Sequence, residues 1–287
     1  MRHALGILLV GVLFYSCTTD SLRSQAEKEL IADVEEIRQY LTTVNEEYKH
    51  DSNTGIFWRI TQENADGRKP NTLNTVHLAW TISTLAGKEL HKVSATDSSF
   101  FNYYLNPVFT GFVLSLNALK EGEKGRFYIP SPYAYADAPP ASFVGLNLWD
   151  PIRLDLEVIK MYSETEFMDY FAHKNQWGTP EINDKGVRVY RTEPKPNTAD
   201  IKKDDALTVK YKGHFLDKDK TVFDQGEFKL IVGAGGAIQG FEQALLMMKL
   251  GEKVKVIIPS QYAYGTTGQG KIPPNTTLAF ELEARLQ

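Results

Sequence analysis

Apolar positions along the chain follow one order of spacings, and they follow it twice. Leu30, Val34, Ile37, Leu41, Val44 and Tyr48 recur at steps of four and three, the stripe of a helix with one buried face. Ser24-Gln25-Ala26-Glu27 ahead of them reads as a capping box. Asp51 to Gly55 breaks the pattern, and Ile56 to Ile60 reads as a strand. Later, Ser163-Glu164-Thr165-Glu166 is a second capping box, followed by Phe167, Tyr170 and Phe171 at helical spacing. Asp184-Lys185-Gly186 is a turn, and Val187 to Arg191 the strand after it. Strict alternation then marks a strand over 75–83, with Val76, Leu78, Trp80 and Ile82 inward, and another over 207–215, with Val209, Tyr211, Gly213 and Phe215 inward. His77 falls on the outward parity, so a solvated or edge position is expected for it. Pro70-Asn71 and Pro194 to Asn197 read as surface loops before these strands.

The clearest repeat is 240–265, GFEQALLMMKLGEKVKVIIPSQYAYG, which matches 111–136, GFVLSLNALKEGEKGRFYIPSPYAYA. Phe241, Ala244, Leu245 and Met248 predict a short amphipathic helix that stops at Leu250-Gly251, where glycine supplies a left-handed cap. Lys253 to Pro259 alternates as a strand with one wet face, and Tyr-Ala-Tyr closes it in a turn. Two copies of one supersecondary unit imply two copies of one domain. The expected division is a leader over 1–17, a tether and helix over 18–50, a first domain over 51–161, a linker helix over 162–180 and a second domain over 181–287. The fold class is α+β: in each domain a twisted antiparallel sheet wraps one short helix, and an amphipathic helix precedes it.

Composition narrows the chemistry. A formal charge of −4 over 287 residues gives no basic field, so nucleic acid is not an expected partner. Six His and one Cys occur without ligand-like spacing, so neither a metal nor another cofactor is expected. Gly233-Ala234-Gly235-Gly236 fits no phosphate-loop pattern and reads as a flexible connection into the rim of a pocket.

That lone cysteine closes an N-terminal pattern. Met1-Arg2-His3 is basic, and Ala4 to Tyr15 is nearly all apolar yet too short to cross a hydrocarbon core of ~30 Å. Ser16-Cys17 follows, and the whole resembles a bacterial lipoprotein signal in which the thiol is acylated and becomes the mature N-terminus. Phe14 and Tyr15 depart from the residues usual there; an ordinary cleaved secretory peptide is the other reading.

The second copy resembles the FKBP-type peptidyl-prolyl isomerases from about Gly186 onward. The residues that carry this are Val209 to Gly213, Thr221-Val222-Phe223-Asp224, Phe228-Lys229-Leu230, Ala237 to Glu242, Tyr262 to Gly265 and Ile272 to Phe280, in the family's order and spacing. The resemblance implies a proline-ring pocket of Tyr211, Phe223, Phe228, Ile238, Phe241 and Phe280, with Ala237 and Ile272 on its rim. It implies that the Ile238 N–H and the Tyr264 hydroxyl bind the flanking carbonyls, and that Asp224 sits at the edge, bonded to the tyrosine. Taken singly, Phe228, Phe241 and Phe280 fit a plain core, Asp224 a turn and Tyr264 a buried phenol.

Phe241 stands where the family most often has Trp, and Lys271 replaces an apolar residue in a slightly shortened loop, so substrate preference and macrolide affinity are the open points. The first copy lacks Phe-Asp, having Glu89-Leu90-His91-Lys92 there, and has Leu148-Trp149-Asp150-Pro151 in place of the Pro-Pro-Asn-Thr-Thr segment. Phe109, Phe112, Tyr135 and Leu154 take the places of Ile238, Phe241, Tyr264 and Phe280, and a filled pocket without efficient isomerisation is expected. The resemblance further implies proline-containing polypeptide clients, possible macrolide inhibitors and a lipid-anchored envelope protein of the Bacteroidetes type, facing the periplasm or the surface of the outer membrane. A non-catalytic proline-peptide scaffold in an envelope complex is the alternative. Cys17→Ser is expected to move the protein from the membrane fraction to the soluble one; unchanged sedimentation with membranes would refute the anchor.

Overall fold

In the computed structural model the described residues are 13–71, 73, 75–97, 100–102 and 108–287, with side chains described from residue 25 and not at 97, 101 or 102. The apolar leader up to residue 12 and the Cys17 side chain therefore lie outside the described residues. Contacts divide the chain into two units, 1–70 with 78–99 and 108–159, and 71–77 with 100–107 and 160–287.

The first helix, α1 (Leu13–Thr43), runs straight through Ser24, so Ser24-Gln25-Ala26-Glu27 is helix interior and not a cap. It also stops before Val44 and Tyr48, the last two positions of the expected stripe. Tyr48 still packs against the cluster of Ile37, Phe57, Leu85 and Tyr128 that α1 buries. No described helix is long and apolar enough to cross a membrane.

After α1 come β1 (Lys49–His50), β2 (Phe57–Gln62), β3 (Thr75–Thr84), β4 (Glu89–Val93), β5 (Phe100–Asn102), α2 (Thr110–Asn117), β6 (Lys124–Ile129) and β7 (Ile152–Tyr162). The second half repeats this as α3 (Glu164–Lys174), β8 (Glu181–Ile182), β9 (Arg188–Glu193), β10 (Ala206–Phe215), β11 (Val222–Ile231), α4 (Gln239–Leu246), β12 (Lys253–Ile258) and β13 (Leu278–Leu286). One sheet has the order β1-β2-β6-β7-β3-β4, with β5 added on β3, and the other β8-β9-β12-β13-β10-β11. Strand for strand, these are the same antiparallel arrangement. The duplication read from 111–136 and 240–265 therefore extends to the whole sheet.

Each motif shared by the copies has a packing reason. Gly111 and Gly240 open the short helices where these cross the sheet: a β-carbon on Gly111 would lie 2.5 Å from Ile129 Cγ2, and one on Gly240 would overlap Ile258. The shared glutamate of Gly-Glu-Lys is buried and stabilises the loop after the helix. Glu123 accepts from the Lys120 N–H (2.8 Å), and Glu252 from the Lys249 N–H (2.9 Å). That loop corrects the expected helix end. α4 stops at Leu246, and the Met247 and Met248 N–H groups reach back to Ala244 and Leu245 in a tightened last turn. Gly251 is left-handed (φ 76°) but sits in the turn into β12. Met248 is buried all the same, beside Phe241, Ala244 and Leu245.

The outer faces are not wet throughout. At one end of the second sheet Tyr190, Ile257 and Ala279 are covered by Phe167, Phe171, Ala172 and Trp177 of α3 and the segment after it. The Ser163 capping box forms as expected. His77 is half-buried and stacks on Phe100 (4.9 Å).

In both units the preceding helix sends a carboxylate to the same place, the serine of Ile-Pro-Ser. Asp33 accepts from the Ser131 N–H (2.7 Å) and Glu164 from the Ser260 N–H (2.6 Å). Burial pushes the Asp33 carboxyl up to about 6 from its ordinary 3.8, against the pull of the Ser131 hydrogen bond. The folded unit then holds this proton more tightly than the unfolded chain. Its contribution to stability is full below about pH 3.8 and lost as pH rises through about 6, on the order of 3 kcal/mol across the window. Hydrogen-exchange protection of β6, corrected for intrinsic rates, is expected to fall over that range, and Asp33→Asn to flatten the slope.

Candidate functional site

The aromatic cleft of the second unit is built by β10, β11 and α4 around Phe241. Tyr211 on β10 and Phe228 on β11 stand over one side of Phe241, with ring centroids 6.3 and 5.8 Å away. Phe280 on β13 meets it edge-on at 5.3 Å, and Phe223 meets Phe280 in the same way at 5.6 Å. Phe241 and Phe280 are buried, whereas Tyr211, Phe223 and Phe228 are half-exposed, so the rings form a floor and walls.

One glycine makes the arrangement possible. Gly213 lies under Phe223 and Phe280, where a β-carbon would come within 2.5 Å of the Phe223 ring. Gly226 faces Tyr211 across the β10–β11 pairing, where a β-carbon would make ordinary contact with the ring at 3.6 Å. The same pairing puts Gly213 opposite Asp224, which brings the carboxylate to the cleft's edge. There the Tyr211 hydroxyl donates to Asp224 Oδ2 (2.7 Å), and the Gln225 N–H to Oδ1 (2.9 Å). Burial, then the bond to Asp224, pushes the Tyr211 phenol up to about 12, so it stays a donor at any ordinary pH.

Ile238 is the extended residue that caps α4 (φ −57°, ψ 148°), and its N–H donates to no group among the described residues. Tyr264 follows the 3-10 turn Ser260–Tyr262 and is half-buried. Ile272 is buried in a tight turn with Gln269, whose backbone it both donates to and accepts from (2.9 and 2.7 Å). Ala237, half-buried, packs on the same core, while Lys271 is exposed. Nine of the ten residues read from the sequence belong to one apolar cluster, and Asp224 joins it through the Tyr211 hydroxyl. A hollow of about 710 Å³ lies along β10, β12 and β13, with Tyr211 and Gly226 among its lining residues. Its lining of Lys210, Lys212, Lys255, Glu281 and Glu283 alternates in charge between neighbouring strands, which is ordinary cross-strand pairing. No group of three or more His, Cys, Asp or Glu among the described residues is placed to hold a metal.

A family model described as FKBP-type peptidyl-prolyl cis-trans isomerase matches residues 197–285. FK506-binding protein 1 of Eremothecium gossypii is 36% identical over 107 residues, covering 36% of this chain and 94% of that protein. The chain belongs to the FKBP-type isomerase family. Peptidyl-prolyl cis-trans isomerase Fkbp12 of Drosophila melanogaster is 36% identical over 104 residues, covering 34% of this chain and 94% of that one. Among solved structures, the three FKBP domains of wheat FKBP73 align with 84% of this chain and 98% of their own at 22% identity and a TM-score of 0.41. The family match falls on the second unit, which contains the cleft.

One residue important to this FKBP cleft escaped the sequence reading. Glu164 accepts from the Ser260 N–H (2.6 Å) and from the Thr277 hydroxyl (2.5 Å). Those two residues are the ends of the loop that delivers Tyr264 and Ile272, so one carboxylate on α3 clips both. The only local signal was an acidic residue in the first helical turn, which ordinarily favours the helix dipole and nothing more. Glu164→Ala leaves two polar groups without their acceptor, a cost of about 1–3 kcal/mol each. It is expected to lower the second unit's melting temperature and to raise KM for a prolyl peptide; an unchanged KM would show that the clip does not position the loop.

Proposed function

We propose that the second unit catalyses cis–trans isomerisation of X–Pro bonds, and that the first unit does not. The observation that carries this reading is the Tyr211–Asp224 pair (2.7 Å) at the rim of a cleft floored by Phe241. Rotation about the amide has a barrier of about 18–20 kcal/mol because planarity is resonance-stabilised. The twisted transition state loses that resonance and its charge separation, so it is less polar than either planar form. A dry aromatic cleft favours it over the ground state, which is the differential binding that catalysis requires. No nucleophile or proton transfer is needed, and a gain of roughly a thousandfold requires only ~4 kcal/mol.

In this reading the proline ring rests on Phe241 between Tyr211, Phe228 and Phe280. The free Ile238 N–H and the Tyr264 hydroxyl hold the carbonyls on either side, and Asp224 faces the distorted amide. The same cleft would accept macrolides of the kind for which the FK506-binding relatives are named. The first unit has His91 where the second has Asp224, which supports its inactivity. With the leader and Cys17, the role we infer is prolyl isomerisation for exported proteins at a bacterial cell envelope, in a lipoprotein of the Bacteroidetes type. Uncatalysed steps of about 10–100 s would otherwise slow the folding of such clients.

A protease-coupled assay on an Ala-Leu-Pro-Phe peptide tests the central claim. Wild type is expected to accelerate the reaction, Asp224→Ala to lower kcat/KM by about tenfold or more, and Tyr264→Phe by several-fold, as loss of one hydrogen bond each implies. A wild-type rate equal to the uncatalysed one would leave the scaffold reading in its place.

A further inference from the structure

Backbone bonds place the two clefts in register. Ala136 donates to Ser131 and Gly265 to Ser260; Phe143 donates to Pro140 and Ile272 to Gln269; Trp149 donates to Ala136 and Asn275 to Gly265. Trp149 and Asn275 are both left-handed, at φ 61° and 53°. Tyr135 therefore stands for Tyr264 and Phe143 for Ile272, and the extra residues of the first loop lie after Phe143. On the hairpin, the pairing slips between Ile82 and Ser83 as it does between Gly213 and His214. His91 opposite Ile82 thus stands for Asp224 opposite Gly213. Trp80 lies edge-on to Phe112 at 5.5 Å, as Tyr211 does to Phe241.

In the second unit, the space between Tyr264 and Asp224 is where the proline segment is read to lie. In the first unit that span is bridged by one ring. Phe143 stacks on His91 (5.9 Å, 20° between planes) and stands edge-on to Tyr135 (5.2 Å). Tyr135 continues to Phe109 (5.0 Å), and Phe109 to Phe112 at the floor (5.9 Å). Phe143 is only 8% exposed, although Val144 and Leu148 of the same loop are 72% and 60% exposed. Leu146 is buried as well, so the loop draws in Phe143 and Leu146 and leaves Val144 and Leu148 outside.

We propose that the first unit contains a second proline-ring site in which Phe143 is a built-in occupant. With the ring withdrawn, the site takes prolyl peptides between Trp80, Phe109, Phe112 and Tyr135. It binds them without turnover, because an imidazole replaces the carboxylate at the rim. This rests on the reading of the second unit's cleft as a prolyl site.

The test follows the indole N–H resonance of Trp80, assigned by its loss in Trp80→Phe, in the full chain during titration with the Ala-Leu-Pro-Phe peptide. Phe143→Ala and Phe143→Ile should each show a saturable shift. Wild type should show none, or one at least about tenfold weaker, because its site is mostly occupied from within. Phe143→Ile keeps the anchor that Ile272 provides in the second unit, so it remains informative if the alanine variant unfolds. An unshifted Trp80 in folded Phe143→Ile overturns the inference. The isomerase rate of the same samples shows whether the reading beneath it fails as well, since that rate arises in the second unit.

Discussion

A carboxylate on the preceding helix, buried in the first unit and half-buried in the second, accepts from the serine N–H after Ile-Pro, and each unit depends on this interaction. It lies where the strand leaving the core turns toward the cleft. Without it, a backbone donor would be buried unpaired at the point where the Tyr-Ala-Tyr segment sets off. In the second unit the same carboxylate also takes the Thr277 hydroxyl, so the whole loop from Ser260 to Thr277 is tied at its base. The helix ahead of each sheet is therefore part of the domain, and the cleft's geometry depends on an element distant from it in sequence.

The duplication shows what the scaffold requires and what the site requires. Sheet order, the glycine under the short helix, the buried glutamate of Gly-Glu-Lys and the clip to the serine recur in both units. None of these distinguishes an open cleft from a closed one. Among the side chains that differ on the shared frame are His91 for Asp224, Trp80 for Tyr211 and Phe143 for Ile272. The first two leave no counterpart of the Tyr211–Asp224 hydrogen bond, and the third places a ring between His91 and Tyr135. Family membership assigned to a chain of this kind is therefore a statement about one unit.

Much of this was legible in the residues alone. Alternation gave β3 and β10 because one face of each strand is buried, and that burial dictates every second side chain. Phe223-Asp224 and Ile272-Pro273-Pro274 separated the two copies because they lie at the cleft and not in its support. Helix ends were read less well. Ser24 has the chemistry of a cap but lies within α1, and Gly251 has the conformation of a cap but follows a loop that Glu252 organises. A local pattern shows what a residue is able to do. Which partner reaches it is a matter of tertiary packing.

By itself, the sequence determined two copies of one α+β unit, and its periodicity placed their helices and strands. The ten candidate cleft residues came from the resemblance of the second copy to the FKBP-type isomerases, since singly each fits a core or a turn. Only the tertiary structure decided that Glu164 closes the loop carrying Tyr264, that Gly213 makes room for the Phe223 and Phe280 rings, and that Phe143 turns inward while Val144 and Leu148 do not. Each of these depends on distances between segments far apart in the chain, and neither spacing nor propensity encodes such distances.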